Sequence, residues 1–344
     1  MVAVADVNDV EARKVGEEHK ARWYSDYGEM LEKEDLDVAS VCVPHFLHER
    51  VATDVAKHGV NVVLEKPIAM RISEADRIIG EAKRRGVKLG VVFQMRFRPS
   101  VIGARKLIDG GLRPLFRCAL TCNLFRGSAY YSSAEWRGTW AGEGGGVLVN
   151  QGIHYLDLLQ SLVSAPPKVT FATASTVAHR IQVEDLASGI IEFRDGVQSA
   201  VQLSTIDVPQ MVRLEFRGDG GIVSLDDERC QIAANRPSLR KQMDSTRGLF
   251  ESPRYKWKLI ASDVRGQNLH TLFYKDFLNA VRRDGKPAID GAEGRKALEL
   301  ANAMIYSAVT GEPVRHPLDP DKYDRLYHKL VREKKLHVRS SGKA

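Results

Sequence analysis

Residues 37–67 read DVASVCVPHFLHERVATDVAKHGVNVVLEKP. The order of local signals in this stretch decides the fold. DVASVCV (37–43) is a near-continuous apolar run after its first residue, the pattern of a parallel strand covered on both faces. Pro44 stops it, because proline has no N–H to give a ladder. HERVATDVAKHG (48–59) has a helical pattern closed by Gly59. VNVVLE (60–65) is the next strand. Strand, helix and strand in about 30 residues make a βαβ unit, and βαβ units build parallel sheets.

The same grammar extends outward. The chain opens MVAVADVNDVEA, with an apolar strand over 1–5 ended by Asp6. Asn8-Asp-Val-Glu11 is a capping-box pattern that starts a helix at once. Ser73-Glu-Ala-Asp76 caps another helix, closed near Gly86, and VKLGVVF (87–93) is a further strand. After Pro99 the pattern changes. A helix over roughly 99–110 leads to LFRCALTCNLFR (115–126), VTFATASTV (169–177), ASGIIEF (187–193), VQSAVQLST (197–205), VRLEFR (212–217) and GIVSLDD (221–227), all strand-like. Asp195-Gly196 and Asp219-Gly220 are tight hairpin signals between them. Helices follow near 269–283 and 292–310.

The expected fold is α/β followed by α+β. An incomplete Rossmann-type parallel sheet domain occupies 1–97. A domain with a large, mostly antiparallel sheet occupies 98–325, and a basic tail occupies 326–344. The first domain is incomplete in one respect. The opening strand with Asp6 looks like the second strand of a dinucleotide fold, whose ribose-binding acid lies about 20 residues beyond a G-x-G-x-x-G loop. GEGGGV (142–147) and RGDGG (217–221) open no βαβ unit. The expectation is that the natural start lies upstream of Met1.

Composition narrows the function classes. The chain has 344 residues, 43% apolar and 28% charged, which is ordinary globular material. Its apolar runs are too short to span a bilayer, and its start lacks signal-peptide character. Cys42, Cys118, Cys122 and Cys230 form no framework, which points to reduced thiols in the cytoplasm. The net charge of +7 gathers in RPSLRKQMDSTRG (236–248) and in the last 17 residues. No nucleic-acid module accompanies it.

The residues that carry chemistry come next. Glu65-Lys66-Pro67 directly follows a buried strand, where open parallel sheets bind their ligands. A lysine there can steady a developing alkoxide or polarise a carbonyl. GEGGGVLVNQGIHYLDLLQSL (142–162) places Asn150, His154 and Asp157 at i, i+4 and i+7, one face if the whole segment is helical. His154 has the reference pKa of a general acid or base near neutral pH. His45 and His48 follow the strand ending at Val43. Arg96 in RFRP (96–99) and Arg137 in EWRGTW (135–140) are candidate substrate contacts. No nucleophile elbow and no metal-ligand spacing occur.

ADVN, VPHFLHERVATDVAKHGVNVVLEKPIA, RFRP, GGGVLVNQGIHYLDLL, VEDLASGIIEF and GAEGRKALELANAMIYSA together resemble the glucose–fructose oxidoreductase/inositol dehydrogenase (Gfo/Idh/MocA) family over nearly the whole chain. The resemblance implies a nicotinamide-dependent dehydrogenase or reductase acting on a sugar, polyol or related compound. It implies Lys66 and His154 as catalytic residues, with Asn150 beside them. Asp6 falls on the ribose acid and suggests NAD over NADP. Pro44, His45, His48, Glu65 and Lys66 line the dinucleotide side; Arg96, Arg137, Asn150 and Asp157 line the substrate side. A homodimer or homotetramer, joined through the open face of the large sheet, is expected. Two departures stand out: Asn150, where many members carry Asp, and the absent phosphate loop. The second keeps open an alternative, a non-enzymatic binding or regulatory module.

Overall fold

The computed structural model describes residues 1–226, 228–264 and 266–336. The first third alternates strand and helix as β1 (Ala3–Ala5), α1 (Asp9–His19), β2 (Arg22–Tyr24), α2 (Tyr27–Lys33), β3 (Val38–Val41), α3 (His48–Lys57), β4 (Asn61–Leu64), α4 (Ile72–Arg85) and β5 (Leu89–Val91). All strand pairs here are parallel, in two pieces: β1 with β2, and β3-β4-β5. β4 lies in the middle of its sheet, and Val62, Val63 and Leu64 are buried. That burial accounts for the unbroken apolar run at 62–64.

Local signals place the ends. The Asn8 side chain accepts from the Val10 and Glu11 amides at the start of α1. The α4 start differs from the expected cap at Ser73. The helix begins at Ile72, and Glu74 reaches back to accept from the Met70 and Arg71 amides. β2 and α2 carry no clear period in sequence and are additions to the expected order.

The rest of the chain comprises α5 (Pro99–Leu107), β6 (Leu115–Phe125), α6 (Ser128–Ser132), α7 (Trp140–Glu143), α8 (Ile153–Val163), β7 (Pro167–Ser175), β8 (Leu186–Phe193), β9 (Gln198–Ser204), β10 (Ile206–Gly218), β11 (Gly221–Asp226), β12 (Arg229–Ala234), α9 (Leu239–Ser245), β13 (Trp257–Ser262), α10 (Leu269–Arg282), α11 (Gly291–Thr310), β14 (Val314–Arg315) and α12 (Pro320–Glu333). Nine strands form one sheet, ordered β13-β12-β11-β10-β6-β9-β8-β7-β14. Among the described residues, β6 and β9 are the only pair of this sheet that runs in parallel. The two Asp-Gly turns join β8 to β9 and β10 to β11, antiparallel as expected.

α8 and α11 pack between the two parts. A Cβ at Gly294 of α11 would stand 2.7 Å from Val91 Cγ2 of β5, so glycine lets helix and strand approach. The segment after 325 is corrected from tail to helix. α12 runs to Glu333, Tyr327 and Leu330 are buried, and the Tyr327 hydroxyl donates to the Trp140 carbonyl at 2.6 Å. Residues 337–344 of the expected tail lie outside the described residues. Among the described residues no helix is long and apolar enough to cross a membrane.

Candidate active site

β4 ends at Leu64, and the next residues turn sharply through a cis Lys66–Pro67 bond. The buried His48 ring holds this turn, with Nδ1 2.7 Å from the Pro67 carbonyl and Nε2 2.9 Å from the Val43 carbonyl. Burial pushes His48 down to about 4, so the ring is neutral and only one of its two nitrogens, and so only one of the two carbonyls, has the N–H in a given tautomer. His48, expected on the cofactor side, therefore has both nitrogens committed to the chain and acts as a strut beneath Lys66. The Glu65 carboxylate accepts from the Lys66 amide at 3.2 Å.

The Lys66 ammonium donates to Asn150 twice, to Oδ1 at 2.9 Å and to the main-chain carbonyl at 3.0 Å. Burial lowers Lys66 to about 8, against the opposing pull of Glu65 and Glu143. Asn150 itself is not on the helix, as the sequence spacing suggested. It sits in the turn 147–152, and α8 begins at Ile153. The turn is clamped from β8's approach. The buried Glu184 accepts through Oε1 from the Gly146 amide at 2.8 Å and the Leu148 amide at 3.1 Å, and its carbonyl accepts from Val147 at 3.0 Å. A Cβ at Gly146 would fall 1.8 Å from that carbonyl, so only glycine fits.

Two residues not singled out in sequence complete this centre. Glu143, buried at the end of α7, accepts from Asn150 Nδ2 through Oε1 and from the Gly138 amide at 2.6 Å through Oε2. The Tyr130 hydroxyl oxygen faces Arg137 Nη1 at 2.7 Å, Asn150 Nδ2 at 2.8 Å and Gln151 Nε2 at 3.2 Å. The Arg137 guanidinium lies 4.5 Å from the ring centres of both Tyr130 and Trp136, within cation–π reach. The buried His45 donates from Nδ1 to the Glu143 carbonyl at 2.9 Å, so the segment after β3 meets the same loop.

His154 is the second residue of α8 and is half-buried. Its ring stands edge-on to Phe93, with centroids 5.7 Å apart, and Nδ1 is buried without a partner. Burial and nearby Lys66 push its pKa well down, leaving a neutral imidazole, the form a general base requires.

Arg96 and Asp157, expected to meet substrate, meet each other. Arg96 Nε and Nη2 fork onto the Asp157 carboxylate at 2.8 and 2.5 Å, and Nη1 reaches Glu293 at 2.8 Å. Asp157 is 1% exposed, so this is a structural pair joining the end of β5 to α8 and α11. The pair lines a cavity of about 610 Å³ that includes neither Lys66, Asn150 nor His154. Asp6 lies at the exposed end of β1, its Oδ1 accepting from the Asn8 amide at 2.8 Å. Pro44 follows β3 with extended geometry.

A dinucleotide fits this donor set in one respect. An exposed carboxylate at the end of β1 suits ribose hydroxyls, and the ends of β3 and β4 present Pro44 and Lys66 on one side of a parallel sheet.

The chain is similar over most of its length to several known proteins. D-apiose dehydrogenase from Paraburkholderia graminis is 27% identical over 91% of this chain and 82% of its own length. The NAD⁺-dependent scyllo-inositol 2-dehydrogenase of Bacillus subtilis is 22% identical over 88% and 84%. The structure of the WlbA dehydrogenase from Bordetella pertussis, solved with NADH and UDP-GlcNAcA, superposes with a TM-score of 0.78, 27% identity and coverage of 93% and 91%. Residues 1–93 match the oxidoreductase family's NAD-binding Rossmann fold, and residues 105–315 match its C-terminal alpha/beta domain. The chain belongs to the Gfo/Idh/MocA oxidoreductase family.

Proposed function

We propose that this oxidoreductase moves a hydride between a nicotinamide dinucleotide and a carbinol carbon of a sugar, polyol or sugar derivative. The observation that carries this reading is the Lys66 ammonium, fixed 2.9 Å from Asn150 Oδ1 at the end of β4, with a neutral His154 on the adjoining helix. The nicotinamide, when bound, supplies the hydride acceptor or donor. Lys66 holds the reacting oxygen and steadies its charge in the transition state. His154 takes the hydroxyl proton during oxidation and returns it during reduction. Asn150 and Arg137 orient neighbouring hydroxyls.

Asp6, Pro44, His45, Glu65 and Lys66 hold the dinucleotide in this reading, with His48 supporting Lys66 from behind. NAD is favoured over NADP, because the Asp6 carboxylate accepts from ribose hydroxyls and repels a 2′-phosphate. The domains divide at 97/98, and the enzyme works in the cytoplasm, where its four free cysteines stay reduced. It self-associates as a dimer or tetramer through the open face of the nine-stranded sheet, where Phe171 and Ile190 pair in register and are 42% and 60% exposed. Light scattering measures that state directly.

The deciding experiment follows absorbance at 340 nm while the protein is offered NAD and a panel of aldoses, inositols and sugar acids. Reduction of NAD with one of them, lost in Lys66→Ala, supports the reading. Absence of turnover and of NADH binding overturns it.

A further inference from the structure

The amide of Asn150 faces two neighbours with opposite demands. Toward Lys66 it must present oxygen, because an ammonium has only donors. Toward Glu143 it must present nitrogen, because an ionised carboxylate only accepts. Both conditions are met: Oδ1 lies 2.9 Å from Lys66 Nζ, and Nδ2 donates to Glu143 Oε1. Glu143 cannot swing away, since its other oxygen accepts from the Gly138 amide at 2.6 Å and the side chain is buried.

We propose that Glu143 is a positioning residue of the active site: its carboxylate fixes which way the Asn150 amide faces, so that Asn150 presents oxygen rather than nitrogen to Lys66. Glu143 supplies from one residue further back the negative charge that Asn150 does not carry. Tyr130 does not set the orientation, because a hydroxyl can donate or accept. The other charged groups around Lys66 are Glu65, which adjoins it in the chain, and Arg126 and Arg137, which oppose its charge. None of them bonds Asn150. The inference rests on the assignment of Lys66 and Asn150 to the active site.

The test is a double-mutant cycle in the full chain. In Glu143→Gln, the new amide keeps an oxygen on the Gly138 N–H and turns its NH₂ toward residue 150. Asn150 then either meets it donor to donor or flips and turns its own NH₂ on Lys66. We expect kcat to fall about 10- to 100-fold, the loss typical of removing an outer partner, with KM changed less than about threefold. Asn150→Asp alone sets two buried carboxylates face to face and is impaired as well. The double variant Glu143→Gln/Asn150→Asp restores donor to acceptor at both contacts, and we expect kcat within about threefold of the parent. Strictly additive losses in the double variant overturn the proposal, as does an unimpaired Glu143→Gln.

A readout independent of turnover separates this from the dehydrogenase reading. NMR titration of lysine side chains in the ligand-free protein follows Lys66 directly. Loss of the Glu143 charge moves the Lys66 midpoint down, and the double variant moves it back. An unmoved midpoint in Glu143→Gln counts against the proposal even if no substrate is ever found. Absence of turnover in the parent protein instead counts against the dehydrogenase reading alone.

Discussion

Lys66 and Asn150, 84 residues apart in sequence, are joined by two hydrogen bonds from one ammonium, 2.9 Å to the side-chain oxygen and 3.0 Å to the main-chain oxygen. The pair holds Lys66 in place before any substrate arrives, which limits the reorganisation needed at the moment of reaction. Lys66→Ala should lower kcat about 10²- to 10³-fold while leaving the Kd for NADH within a few-fold, read by fluorescence titration. The pH dependence is the sharper check. With Lys66 lowered to about 8, the charged form needed to polarise a carbonyl is lost as pH rises through that value. The reductive kcat/KM, which reports groups of the free enzyme, should fall above about pH 8. Lys66→Arg stays charged throughout, so its profile, though lower, should lose that alkaline limb. An identical limb in Lys66→Arg assigns it to another group.

Asp6 projects from the end of β1 with one oxygen on the Asn8 amide at 2.8 Å, which leaves the other oxygen for a ligand. Hydrogen bonds to a charged acceptor contribute about 1.5–3 kcal/mol each. Asp6→Ala should therefore raise the KM for NAD by about tenfold or more while changing that for NADP much less. The NAD/NADP ratio of kcat/KM, measured in one buffer, should narrow. An unchanged ratio removes Asp6 from cofactor choice.

Asp157 tests whether the Arg96 pair braces the fold or meets substrate. Its carboxylate is buried against a guanidinium that is itself mostly buried, and removing one partner strands the other. Asp157→Ala should cost about 3–5 kcal/mol of stability, visible as a lower urea midpoint. The KM for substrate should stay within a few-fold, because the carboxylate touches no open surface near Lys66. A large rise in KM with normal stability would restore the substrate role.

β4 was legible because burial on both faces writes an unbroken apolar run, whereas β3 is buried on one face only, with Ser40 exposed, and its apolar residues overstated its burial; Gly59 and Gly86 mark positive-φ turns at 78° and 69°. Lys66 was legible for the same reason, as the first residue beyond such a run. Asn150 was legible as a residue but not as a position. Its helical spacing from His154 is real in sequence, yet Glu184 clamps the segment into a turn that no local signal announces. Glu143 and Tyr130 were missed because their roles exist only through contacts across the fold. Glu143 lies inside GEGGGV (142–147), with glycine on both sides. The one available signal was chemical: Asn150 beside a lysine calls for an acid behind it. β2 and β13 were missed because exposed strands lack an alternating apolar face, and β12 because its buried residues, Cys230 and Ala233, do not alternate.

Glu184 provides a test through stability alone. It is fully buried, and burial raises its pKa to about 7 despite the two amides that favour the charged form. An acid whose folded pKa lies above its unfolded value contributes stability that is complete below about pH 4.5 and is lost as pH rises through about 7. Above that, the folded state carries a buried charge whose Oε2 has no partner. Glu184→Gln keeps an oxygen for the Gly146 and Leu148 amides and carries no charge. It should match the parent near pH 5 and exceed it at pH 8, by on the order of 2–3 kcal/mol for a shift of this size. Urea unfolding at the two pH values measures the difference. Equal stability at pH 8 would mean that the carboxylate's bonds to the turn offset its burial, and the clamp on Asn150 would then depend on the charge itself.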